Sequence, residues 1–146
     1  MLRRFRAREV ALQLLFQQDQ NKKPMPRKAL VQFVQARTRK DADAVAFALA
    51  LFDGVVAQRE SIDALITATS QNWRLVRMLP ADRSILRLAT FELLHAAKLE
   101  PIPVILNEAI ELAKLYGSKD SPAFVNGILD RIAQGRPAAV PAKVEA

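Results

Sequence analysis

Cysteine is absent from this chain of 146 residues, and histidine, tryptophan and tyrosine occur once each. Without thiols there are no disulfides, thiolate metal sites or cysteine nucleophiles, and no oxidised framework of the kind found in small secreted domains. A Ser-His-Asp site would have to be built on His95 alone, which falls in an apolar helical pattern and reads as a packed or surface histidine. Glycine is scarce, with four in all and no glycine-rich phosphate loop. No apolar run is long enough to span a bilayer, and the charged, amphipathic opening is not a leader. These absences leave a cytoplasmic protein that is not an enzyme, binds no cofactor or metal and has no membrane attachment.

What is present is ordinary in bulk and uneven in detail. A hydrophobic share of 51% and a charged share of 25% exclude the composition of a disordered chain. The length suits one domain, or two small subdomains sharing a core. Residues 1–40 hold eleven Lys or Arg against two acids, Glu9 and Asp19, whereas residues 41–146 hold eleven against thirteen. The whole positive excess is therefore N-terminal. Such asymmetry marks a polyanion-binding surface, although basic arms also arise as solvated surface or as contacts to anionic membranes.

Apolar spacing predicts helices throughout. Ala7, Val10, Ala11, Leu14 and Leu15 fall at i, i+3, i+4, i+7 and i+8, one face of a helix from Arg3 to about Gln18. Pro26 can occupy the first turn of a second helix ending near Arg37. From Asp41 to about Thr69 the repeat continues without proline, which predicts one long helix with a kink at Gly54. A short apolar stretch, Trp73 to Leu79, precedes a helix from Ala81 to Lys98 that is apolar nearly all round and belongs in the middle of a core. Pro103 opens the next helix, which closes at Gly117, and Asp120 or Ser121 caps the last, running to Gln134. No stretch alternates with period two, so the fold class is all-α, with about seven helices.

Individual residues carry less chemistry than their types suggest. Glu108 and Glu111 stand three apart but are followed by Lys114, an ordinary helix ion-pair pattern on a solvated face. Glu92 falls within an apolar arc and reads as a buried, hydrogen-bonded structural acid. Asn107 and Asn126 read as amides satisfying backbone groups between helices, and Gly127 as a close helix approach. Phe16 is expected in the core.

Arg3, Arg4, Arg6 and Arg8 crowd the start of the first helix, where the macrodipole is positive and basic side chains destabilise by a few tenths of a kcal/mol each. Helix stability does not explain them. Arginine forks onto phosphate and stacks on bases, so four of them beside Phe5 suit single-stranded RNA.

The stretch from Arg3 to Phe16, RRFRAREVALQLLF, resembles the arginine-rich opening of the NusB family. The blocks ILRLATFELL (Ile85 to Leu94), IPVILNEAIELAKLYG (Ile102 to Gly117) and DSPAFVNGILD (Asp120 to Asp130) resemble its C-terminal signature in order and spacing. The resemblance implies a NusB-like domain over residues 1–136, in two three-helix subdomains of about 1–70 and 71–136, followed by a disordered tail at 137–146. It implies an RNA-binding adaptor in transcription antitermination of ribosomal RNA operons. Its partners would be single-stranded boxA-type RNA, the small-subunit ribosomal protein NusE and the complex with RNA polymerase, and a homodimer is a further implied state. By position, Arg3, Arg4, Phe5, Arg6 and Arg8 fall in the RNA-contacting motif, Asp120 and Phe124 complete the RNA site, and Asp82 and Arg83, at an exposed helix start, are candidates for contacting NusE. Phe5 stands where the family commonly has arginine, and Phe16 where it often has tyrosine. Two other readings remain: the RNA-binding domain of an RNA methyltransferase, disfavoured because no cofactor segment follows, and a protein-interaction module with a solvated basic arm.

Overall fold

The helical spacing is realised as seven α-helices among the described residues of the computed structural model, which are 2–21, 23–71 and 73–136. They are α1 (Leu2–Gln20), α2 (Arg27–Arg37), α3 (Ala42–Ala57), α4 (Arg59–Ser70), α5 (Pro80–Leu94), α6 (Ile102–Tyr116) and α7 (Ser121–Gln134), with a 3₁₀ turn at Leu75–Arg77. No strand occurs among these residues, in keeping with the expected all-α class. The tail expected at 137–146 lies outside the described residues. No helix among the described residues is long and apolar enough to cross a membrane.

The stripe Ala7, Val10, Ala11, Leu14 and Leu15 is buried, and α1 packs through its apolar residues on α2, α3 and α5. The all-round apolar segment becomes α5, buried from Ser84 to Leu93 and in contact with α1, α3, α4, α6 and α7. One apolar cluster thus runs through all seven helices. Each fully buried Leu or Ile in it, such as Ile62, Ile85 and Leu129, stabilises the fold by about 1.5–3 kcal/mol.

The single helix expected from Asp41 to Thr69 is two. The chain breaks at Gln58, whose amide donates to the Gly54 and Val56 carbonyls, and α4 then packs on α5 and α7. Its main neighbours are therefore C-terminal, although it precedes the expected boundary near residue 70. Gly54 stays inside α3, which continues to Ala57. Its reason is contact: a Cβ there would fall 2.1 Å from Cζ of Phe91.

α5 ends at Leu94, earlier than the expected Lys98, because the amides of His95 and Ala96 both turn back to the Phe91 carbonyl. Asp120 occupies the N-cap position of α7 but its side chain caps nothing. Instead Ser121 Oγ accepts from the Ser118 amide at 2.8 Å. Gly117 does end α6, in extended backbone, and a Cβ there would meet Ser121 Oγ at 2.4 Å. Asn107 and Asn126 are exposed rather than set between helices, and a Cβ on Gly127 would meet open space. Phe16, expected in the core, is 41% exposed.

Candidate nucleic-acid interface

Nineteen residues of α1 carry the four arginines on different faces of one helix. Arg3 pairs through Nε with Asp41 at 2.8 Å and through Nη1 with Asp43 at 3.3 Å, at the start of α3. Arg4 reaches Glu100 at 2.9 Å and lies over the Phe47 ring, 4.2 Å from its centroid. Arg6 pairs with Glu9 at 2.8 Å. These three side chains remain 59%, 48% and 55% exposed. Exposed pairs contribute about 0–1 kcal/mol, so their carboxylates can be exchanged for phosphate at little cost. Arg3, Arg4 and Phe47 line a shallow pocket of about 530 Å³ between α1 and α3.

Arg8 differs from its neighbours, and the expectation that it contacts RNA is corrected. Its side chain is 3% exposed. Nε and Nη2 fork onto the two oxygens of Glu92, each at 2.8 Å, and Nη1 donates to Glu108 at 3.0 Å. Burial pulls its pKa down, but the hydrogen bonds and charges of Glu92 and Glu108 outweigh this and raise it above the ordinary arginine value. Glu92 is accordingly the buried, hydrogen-bonded acid expected, while Glu108 turns inward rather than joining Glu111 and Lys114 on a solvated face. Phe5 is half-buried and packs on the core, so its ring mainly serves the fold.

Glu9 links Arg6 to a second feature. Its Oε2 accepts from the Tyr116 hydroxyl at 2.6 Å, and that hydroxyl accepts from Gln13 Nε2 at 2.9 Å. Burial, then Glu9, raises the Tyr116 pKa. Beyond this network an apolar groove of about 410 Å³ runs past Leu12, Phe16, Phe33 and Tyr116, with Arg37 stacked 3.7 Å over the Phe33 centroid.

Asp82 and Arg83 are not the exposed helix-start charges expected. Asp82 is 5% exposed with one carboxylate oxygen unpartnered, and burial raises its pKa against an opposing bond from Ser121. Arg83 donates to Asp19 at 2.9 Å and to the Leu75 and Met78 carbonyls at 3.1 Å each. Arg87 joins Asp19 to Asp63, so this cluster ties α1 to α4 and α5. Both residues act in the scaffold because their polar groups are turned into it.

Asp120 is exposed and Phe124 half-buried at the start of α7. Neither has an ion pair, hydrogen bond or ring contact with the α1 arginines among the described residues. Phe124 meets Trp73 instead, edge to face, with centroids 6.0 Å apart and planes at 79°. The sequence reading missed Phe47 and Trp73. Phe47 gave no local signal, since it sits off the buried stripe of α3; Trp73 could have been found as the one tryptophan, lying between breaks in the helical pattern.

Seven helices around a continuous core, with a cationic, aromatic-flanked end and a neighbouring apolar groove, define an all-helical binding protein. The NusB family profile matches residues 5–134, and the chain belongs to that family. A transcription antitermination protein NusB of Anaeromyxobacter dehalogenans is 47% identical over 137 residues, spanning 94% of each chain. T. maritima NusB superposes with a TM-score of 0.81 at 38% identity, covering 92% of this chain and 93% of that one. A chain in the crystal structure of antitermination factors NusB and NusE in complex with dsRNA superposes with a TM-score of 0.80 at 28% identity, covering 92% and 98%. The family is one of transcription antitermination factors, not of enzymes.

Proposed function

We propose that this protein is an RNA-binding adaptor of transcription antitermination, binding single-stranded boxA-type RNA together with NusE during transcription of ribosomal RNA operons in the cytoplasm. The observation that carries the reading is the set Arg3, Arg4 and Arg6, all exposed at the start of α1 and held only by partly or fully exposed carboxylates, with Arg3 and Arg4 beside Phe47. Phosphates replace those carboxylates, and half-exposed rings supply stacking surface, with no bond made or broken. The complex of related NusB with NusE and dsRNA supports both RNA and a protein partner. The groove at Leu12, Phe16, Phe33 and Tyr116 offers that partner an apolar seat beside the Arg6 network, in place of Asp82 and Arg83.

Fluorescence anisotropy of labelled boxA-type RNA tests this, with and without NusE and over a salt series. Three neutralised phosphates give log affinity against log salt a slope near −2 for a single strand, about 0.7 per contact. NusE is expected to tighten binding. Weak binding that ignores RNA sequence and NusE would sink the proposal.

A further inference from the structure

We infer that the segment joining α4 to α5 is a second RNA contact: Trp73, backed by Phe124 and followed in the chain by Arg74 and Arg77, stacks on a nucleobase of single-stranded RNA. This rests on the RNA-binding reading above and adds to it a site remote in sequence from the arginines of α1.

Trp73 is 52% exposed, the largest apolar side chain on the surface. Exposure of this kind at a loose loop needs no explanation, but this segment is held. Ser70 Oγ donates to the Trp73 carbonyl at 2.6 Å, Arg83 Nη1 donates to the carbonyls of Leu75 and Met78, and the Met78 side chain is buried at 5%. The Phe124 ring fixes Trp73 from one side by the edge-to-face contact. An indole is thus presented to solvent by a braced turn.

Charge selects the occupant. From Gln71 to Leu79 the chain carries Arg74 and Arg77 and no acid. Both arginines are exposed, and neither has an ion pair among the described residues. Lys119 and Asp120, which precede α7, offset each other. An exposed aromatic side chain on a segment with unopposed guanidinium groups is the combination that binds single strands, the ring taking a base and the cations its phosphates. A protein surface would find the same apolar ring, but nothing here supplies the hydrogen-bonding or acidic complement that would select one.

Because Trp73 is the only tryptophan, its emission reads this site alone. The full-length protein is titrated with a single-stranded boxA-type oligonucleotide, emission and the anisotropy of the labelled RNA being followed in parallel. Quenching with the anisotropy midpoint is expected. Trp73→Ala is expected to weaken binding about tenfold without changing the salt slope, and Trp73→Phe to restore most of it. Arg74→Ala with Arg77→Ala is expected to flatten the slope by about 1. Circular dichroism confirms that each variant is folded. RNA that binds by anisotropy while emission stays constant, with Trp73→Ala equal to wild type, overturns this inference and leaves the RNA reading standing. Emission that answers to NusE and not to RNA overturns it in favour of a protein contact. Absence of any RNA binding to the wild type overturns both.

Discussion

The arginines at the start of α1 and those of α5 are chemically identical and differ sharply in burial. Arg3, Arg4 and Arg6 keep about half of their side-chain surface in water, each against partly or fully exposed carboxylates. Arg83 and Arg87 are 14% and 6% exposed, and they share Asp19 between them. Arg8 lies on α1 and behaves like the α5 set, with three donors on two carboxylates. Burial, not position in a basic run, therefore separates scaffold cations from those left free to exchange partners: a buried pair costs several kcal/mol to break, an exposed one almost nothing.

The comparison breaks first at Arg8. Arg8→Ala leaves Glu92 buried without a counter-charge and is expected to cost about 3–5 kcal/mol, read as a lower denaturant midpoint at unchanged slope. Replacing Arg8 and Glu92 together by Met is expected to recover much of that loss. A single-variant loss under about 1 kcal/mol would move Arg8 back among the surface arginines.

Asp19 sharpens the α5 side. Burial pushes its carboxyl up, but hydrogen bonds and charge from Arg83, then Arg87, hold it below its ordinary value. A depressed acid contributes stability that is present above the unfolded value of about 4 and is lost as pH falls through the folded one. Asp19→Asn is expected to cost about 2–3 kcal/mol at neutral pH, with the two stability curves converging in acid. Curves that stay parallel down to strongly acid pH would remove Asp19 from the scaffold.

The smallest effect on folding belongs to the outer set. Replacing Arg3, Arg4 and Arg6 one at a time by Ala is expected to change stability by less than about 1 kcal/mol each, measured by the same unfolding curves. Removing a cation from the positive end of a helix offsets part of the lost pairing.

Much of this was legible in the sequence. The stripe of α1, the central burial of α5 and the buried role of Glu92 followed from periodicity, because a helical repeat of apolar residues states which face is inside. The break at Gln58 did not. Val55, Ile62 and Ile66 keep the phase of Ala44, Ala48 and Leu51 across it, so the repeat passes through the turn unchanged. The arginines were found as a cluster but not sorted, since Arg8 differs from Arg6 only in facing Glu92 and Glu108, which lie 84 and 100 residues away. Arg83 failed for the same reason, since its partner Asp19 comes from another helix, and the burial of Asp82 is likewise set by packing.

The salt dependence of RNA binding tests most directly the claim that burial sorts these arginines. The slope of log affinity against log salt is measured for wild type, for the variant with Arg3, Arg4 and Arg6 all changed to Ala, and for Arg8→Lys under conditions where it stays folded. The account predicts that the triple variant loses about 2 of slope, near 0.7 for each phosphate released, while Arg8→Lys keeps the wild-type slope even if its affinity falls. A slope that the triple change leaves at its wild-type value, or one that drops when only Arg8 is altered, would contradict it.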